Sequence, residues 1–128
     1  MGHYYISLKD RQVLLHDMTI WSLRHFCVVA ASEIDCSVEQ FFAGWQWHGP
    51  GVFTGTDLHE FAGDDARRLA LLHEAFVSAQ SLVLKFGDEI PLDYLKDNIN
   101  LRCAYFTKPL KVRELTDAIS QIIEMLRN

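Results

Sequence analysis

The sequence lacks most of the patterns that usually declare a protein's chemistry. It holds no GxSxG, no P-loop and no GxGxxG, so hydrolase, nucleoside-triphosphatase and dinucleotide-binding readings have no foothold. Its 6 histidines show neither HxxxH nor HExxH spacing, which removes the usual zinc patterns. The cysteines Cys27, Cys36 and Cys103 are an odd, widely spaced set without CxxC, and they read as reduced, mostly buried thiols. No apolar run approaches the roughly 18 residues of a membrane span, so no membrane partner is expected. The opening "MGHYYISLKDRQ" has no signal-peptide h-region, and the expected location is cytoplasmic. No internal repeat, low-complexity tract or linker interrupts the chain, which is read as one domain, 1–128, with its core in 12–126.

What remains is ordinary globular material: 128 residues, 49% apolar and 23% charged, enough to bury a proper core. The net charge of -5 argues against direct nucleic acid binding. "QVLLHD" (12–17) is a short apolar run ending in an acid, as a buried strand does. "MTIWSLRHFCVVAAS" places Ile20, Leu23, Cys27 and Ala30 at helical spacing, with Thr19 as its cap. "EIDCS" is weakly strand-like, and "VEQFFAGWQW" predicts a short helix capped by Ser37 and broken at "HGPG". "GVFTGTD" (51–57) is a second apolar run ending in an acid.

The clearest helix is "GDDARRLALLHEAFVSAQ", capped by Asp64 or Asp65, with Leu69, Leu72, Phe76 and Ala79 in one stripe. "SLVLKF" (81–86) reads as a buried strand. "PLDYLKDN" reads as a short helix with Pro91 in its first turn, where the missing N–H costs nothing. "LRCAYF" reads as a strand. The last helix, from about Lys111 to Leu126, carries Val112, Leu115, Ile119, Ile122 and Leu126 on one face. Strands alternating with helices imply right-handed crossovers and a parallel sheet covered on both faces. The predicted fold is therefore α/β, a doubly wound five-stranded parallel sheet of order 2-1-3-4-5, flavodoxin-like.

In such sheets the site lies outside the carboxyl ends of the strands, which would gather His16, Asp17, Asp57, Lys85, Phe86 and Lys108 around one crevice. Two carboxylates at adjacent strand ends repel unless a cation lies between them, and oxygen ligands with room for water suit Mg²⁺. A central carboxylate can accept a phosphoryl group as an aspartyl phosphate. A metal and an ammonium then neutralise the developing charge. The stretch "FTKPLKVREL" (106–115) suits that role, because Lys-Pro reaches the cis form more easily than other peptide bonds and sits in fixed turns.

With "CAYFTKPLKVREL" and "FTGTDLHEFAGDDARRLALL", the chain resembles the receiver domain of two-component response regulators, the fold of the chemotaxis receiver, from Gln12 to Leu126. Receivers end their fifth strand with an aromatic, two residues and Lys-Pro. The interval from Asp57 to Lys108 is close to theirs, and that from Asp17 to Asp57 is a few residues short. The resemblance implies that Asp57 is the phospho-acceptor and that Lys108 binds the phosphoryl oxygen. It makes Asp17, Asp57 and the His59 backbone carbonyl the Mg²⁺ ligands, and Tyr105 the switch aromatic. The chain departs from the pattern in three places. His16 replaces one acid of the pocket, which weakens the metal site. Lys85 or Phe86 stands where a switch hydroxyl is usual, and Leu110 follows Lys-Pro where Phe is common.

A receiver is no enzyme in its own right. The phosphoprotein so implied would take its phosphoryl group, in a phosphorelay of signal transduction, from a histidine kinase or phosphotransfer protein. It would signal to a downstream protein or output domain through its fourth and fifth strands and last helix. The outer face of that helix, with Lys111, Arg113, Glu114 and Asp117, is a solvated face or a partner surface. The rival reading is a degenerate receiver acting as a phosphorylation-independent protein-interaction module, which the missing hydroxyl and missing acid favour. A third reading, a small acidic inhibitor of a basic partner, accounts for the charge but not for Lys-Pro.

Overall fold

The computed structural model describes residues 3–45, 54–99 and 106–127. The chain opens with two strands, β1 (His3–Leu8) and β2 (Arg11–His16), joined by Lys9 and Asp10 alone. Only an antiparallel partner can be reached through so short a link. The register confirms it, with Ile6 opposite Val13 and His3 opposite His16. Lys9 turns the chain at φ 59°, since the favoured two-residue hairpin turns need a positive φ at their first central position. Buried and exposed positions then alternate: Ile6, Val13 and Leu15 are buried while Leu14 is 51% exposed, so one face meets the core and the other does not.

Helix α1 (Asp17–Ser32) follows β2 directly, and His16 caps it by accepting the Met18 N–H on Nδ1 at 3.4 Å. Helix α2 (Cys36–Ala43) is capped by Asp35, whose carboxylate accepts the Ser37 and Val38 N–H groups at 2.8 and 3.3 Å. The predicted cap, Ser37, instead donates its hydroxyl to that carboxylate, and "EIDCS" is no strand. Arg24 of α1 closes the other end of α2, donating to the Phe42 and Ala43 carbonyls at 3.2 and 2.7 Å. These are among the acceptors that a helix end leaves orphaned.

Strand β3 (Thr54–Asp57) lies parallel to β1, with Ile6 opposite Thr56 and Ser7 opposite Asp57. The short α3 (His59–Ala62) leads to α4 (Ala66–Leu84), capped by Asp65. The two-residue strands β4 (Glu89–Ile90) and β5 (Leu110–Lys111) pair antiparallel with each other, flanking α5 (Leu92–Asn98). Helix α6 (Val112–Arg127) ends the described chain, burying Val112, Leu115, Ile119, Ile122 and Leu126 as its spacing predicted. Helix α1 packs on α2 and α4, and α4 on α6. No helix among the described residues is long and apolar enough to cross a membrane.

The five-stranded parallel sheet of order 2-1-3-4-5 is thereby overturned. The described strands form a mixed three-stranded sheet of order β2-β1-β3 and a separate pair, β4-β5. Besides "EIDCS", two misread segments account for the difference. "HYYISL" is a strand that the prediction passed over, and it turns the next strand antiparallel. "SLVLKF" is no strand: residues 81–84 finish α4, where Val83 extends the buried row of Leu72, Phe76 and Ala79 at helical spacing. Without Gly or Pro before Gly87, nothing ends that helix earlier. "LRCAYF" lies outside the described residues except for Phe106, which is buried. Lys108 and Pro109 precede β5, and no cis peptide bond occurs among the described residues.

A left-handed lysine costs roughly 1–2 kcal/mol, and glycine at that position would return only about 0.5–1 kcal/mol of it as chain entropy. Lys9→Gly should therefore stabilise the protein by about 0.5–1 kcal/mol, read as a higher urea midpoint at unchanged slope. A lower midpoint would mean that the lysine side chain contributes more than its backbone costs.

Candidate functional site

The sheet order decides which of the proposed site residues can meet. His16 ends β2 opposite His3, whereas Asp57 ends β3 opposite Ser7. The four residue steps along β1 from one row to the other span about 13 Å, and two strand spacings add roughly 10 Å across. Asp17, the first residue of α1, follows His16, and its side chain lies outside the described residues. The carboxyl ends of β2 and β3 thus face opposite ends of the sheet, too far apart for one Mg²⁺ to bridge.

Asp57 is half-buried at its strand end, and its Oδ1 accepts the His59 N–H at 2.9 Å. The carboxylate therefore opens the α3 turn. The His59 carbonyl, assigned to the metal by resemblance, accepts the Gly63 N–H at 2.8 Å and closes the same turn. The His59 Nδ1 is buried without a hydrogen-bond partner among the described residues. No group of three or more His, Cys, Asp or Glu residues that could hold a metal occurs among the described residues.

Lys85 and Phe86 do not end a strand. Lys85 is the exposed C-cap of α4. Phe86 packs edge-on against Tyr94 at 4.8 Å and Phe26 at 5.8 Å between ring centroids, which gives it a packing role. Tyr105, the proposed switch aromatic, lies outside the described residues. Of the cysteines, Cys27 is buried, and burial pushes its thiol well above its usual pKa. Cys36 is exposed, contrary to expectation, and Cys103 lies outside the described residues.

Lys108 and His16 both border a groove of about 540 Å³ on the β2 side of the sheet. Strand β2 contributes Leu14, Leu15 and His16 to one wall. The facing wall is a stripe of α6: Glu114, Asp117, Ala118 and Gln121, the i, i+3, i+4 and i+7 positions of one helical face. Lys108 and Leu110 border it as well, beside the first turn of α1. Arg113 stands 3.9 Å from Asp117 in an exposed ion pair, an arrangement that contributes little. The sequence reading named Lys108, His16, Glu114 and Asp117 but missed Leu14. The doublet Leu14-Leu15 was the available signal, since adjacent strand residues point to opposite faces and both cannot enter one core.

A second polar pairing joins α1 to α5. His25 Nε2 and Tyr94 Oη share a 3.0 Å hydrogen bond, and the His25 ring meets Phe26 and Tyr94 edge-on. Burial, and then the neighbouring Arg24 charge, lowers the His25 pKa from 6.5. Burial raises that of Tyr94. The native protein therefore holds His25 neutral, while the unfolded chain takes up the proton as the pH falls below 6.5. The stability due to this group is present above that pH and lost as pH falls through the lowered native value. His25→Gln should reduce the loss of urea midpoint on acidification through that range. An identical pH profile in wild type and variant would remove His25 from the account.

No family model, curated protein or solved structure matches the chain.

Proposed function

We propose that this chain acts as a phosphorylation-independent protein-interaction module, and that its docking surface is the groove between β2 and α6. The observation that carries this reading is Leu14. It is half-exposed in the middle of a strand whose neighbours Val13 and Leu15 are buried, and it borders a groove rather than open solvent. A large aliphatic side chain left there forgoes roughly 1 kcal/mol of burial, which a partner can recover. Charged residues of both signs frame it, a composition suited to selecting a partner rather than to covering any apolar surface. The phosphoryl-accepting reading would need Asp17, Asp57 and Lys108 in one crevice, and the sheet order gives that convergence no support.

Photo-crosslinking in cells tests the reading directly, with a benzoylphenylalanine at position 14 and, as controls, at the exposed Val29 of α1 and Leu84 of α4. Protein adducts should form from position 14 and not from the controls. Adducts only from the controls would move the docking surface elsewhere. Acetyl phosphate with Mg²⁺ should leave the intact mass unchanged. A gain of one phosphoryl group, lost in Asp57→Asn, would restore the receiver reading.

A further inference from the structure

The hairpin turn, the α3–α4 link and the end of α6 frame a second cavity, of about 330 Å³. It shares no lining residue with the β2–α6 groove, and its lining belongs wholly to described stretches of the chain. Buried Leu8, Met125 and Leu126, with half-buried Leu69, supply its apolar side chains. Exposed charges border it from two sides. On the hairpin, Lys9 and Arg11 outnumber Asp10, whereas the link contributes Asp64 and Asp65.

Opposite charges on one small cavity could close it by pairing, and here they do not. Among the described residues Lys9, Arg11 and Asp64 make no ion pair and no side-chain hydrogen bond. Asp65 accepts the Arg67 N–H at 2.9 Å and caps α4. Lys9 also holds its place at a cost, since its φ of 59° is one that glycine adopts freely. A turn serving the hairpin alone favours glycine or asparagine. Strained residues cluster where a side chain meets a ligand, and this one stands at the cavity mouth.

We propose that the cavity binds a free amino acid with an apolar side chain. The carboxylate faces Lys9 and Arg11, the ammonium faces Asp64 and Asp65, and the side chain lies against Leu69, Met125 and Leu126. A simple anion would meet three acids against two bases on this rim, and an apolar molecule would leave both walls unmatched. A zwitterion meets each wall with the opposite sign. The volume stands at the lower end of the roughly 300–1,000 Å³ of small-molecule sites, which suits a ligand of that size.

L-Leucine is the probe, added to the whole chain at low salt, where exposed charges are least screened. Amide NMR signals within 8–11 and 63–69 should shift and saturate. N-acetyl-leucine lacks the ammonium, leucinamide the carboxylate and glycine the side chain. Each should bind about fivefold more weakly or worse. Lys9→Gly should weaken leucine by a similar factor while its urea midpoint rises, which separates lost binding from lost folding. Asp64→Asn should weaken leucine but leave N-acetyl-leucine unchanged, because only the ammonium meets that wall.

No shift at about 10 mM leucine, roughly ten times a millimolar Kd, would overturn the site. Equal binding of N-acetyl-leucine would mean that a plain carboxylate suffices. Equal binding of leucinamide would mean a plain ammonium, such as a peptide N-terminus. Either result overturns the zwitterion. Undiminished leucine binding by both Lys9→Gly and Asp64→Asn would place the ligand elsewhere and overturn the assignment to this cavity.

Discussion

The two-residue link between β1 and β2 constrains the rest of the molecule. A parallel neighbour needs a crossover of a dozen or more residues, so Lys9 and Asp10 can only deliver an antiparallel one. Once β2 runs back along β1, α1 starts at one end of the sheet, and β3 later reaches its carboxyl end at the other. Acids at the two strand ends are thereby separated, whatever their chemistry would allow if they met. Among the described strands, the hairpin also leaves β2 at the margin of the order β2-β1-β3. One local reversal disperses the pocket expected at the strand ends and puts β2 at the edge of the described sheet, beside a helix.

That edge carries few of the devices by which strand edges are usually protected. Natural edges are shortened, bulged, or given a charge or proline in mid-strand. Strand β2 is six residues long, as long as its partner, and pairs without a break in register. Its charged residue, Arg11, stands at one end, and the middle presents Leu14. The flanking helix offers side-chain carboxylates rather than a hydrophobic cover. Its strand position sets the exposed Leu14 apart from the exposed Val29, Val77 and Leu84. These three sit on helices whose backbone groups are already paired, and single exposed aliphatics are normal on protein surfaces.

What could be read from the sequence was local. Asp65 as a cap, Pro91 at the start of a short helix and the buried stripe of α6 all stand where the spacing placed them, because each depends on neighbours within one or two turns. Asp57 does end a strand. The pairing direction was not legible. Lys9-Asp10 lacks the Asn-Gly or Asp-Gly signature of a two-residue hairpin, and a positive φ on lysine leaves no trace in composition. "SLVLKF" failed for another reason: a short apolar run has no period of its own, and only the continuing row from Leu72 to Val83 identifies it as helix. The strand-end residues were recognised by type, but type does not say at which end of a sheet a strand finishes. The groove combined both cases, its α6 stripe visible as a helical repeat and its β2 wall hidden with the hairpin.

The carboxylates on α6 also bear on self-association through β2. Two copies pairing through β2 would be related by a twofold axis perpendicular to the joined sheet, as in any antiparallel pair of identical strands. That operation places the two α6 helices on the same side of the sheet, each beside the shared edge. Their facing stripes would then bring Glu114 and Asp117 of one copy toward the same residues of the other. Like charges so placed oppose the contact, and a net charge of -5 on each chain adds to the repulsion at low ionic strength. The acidic face of α6 thus opposes the pairing of two copies through this strand.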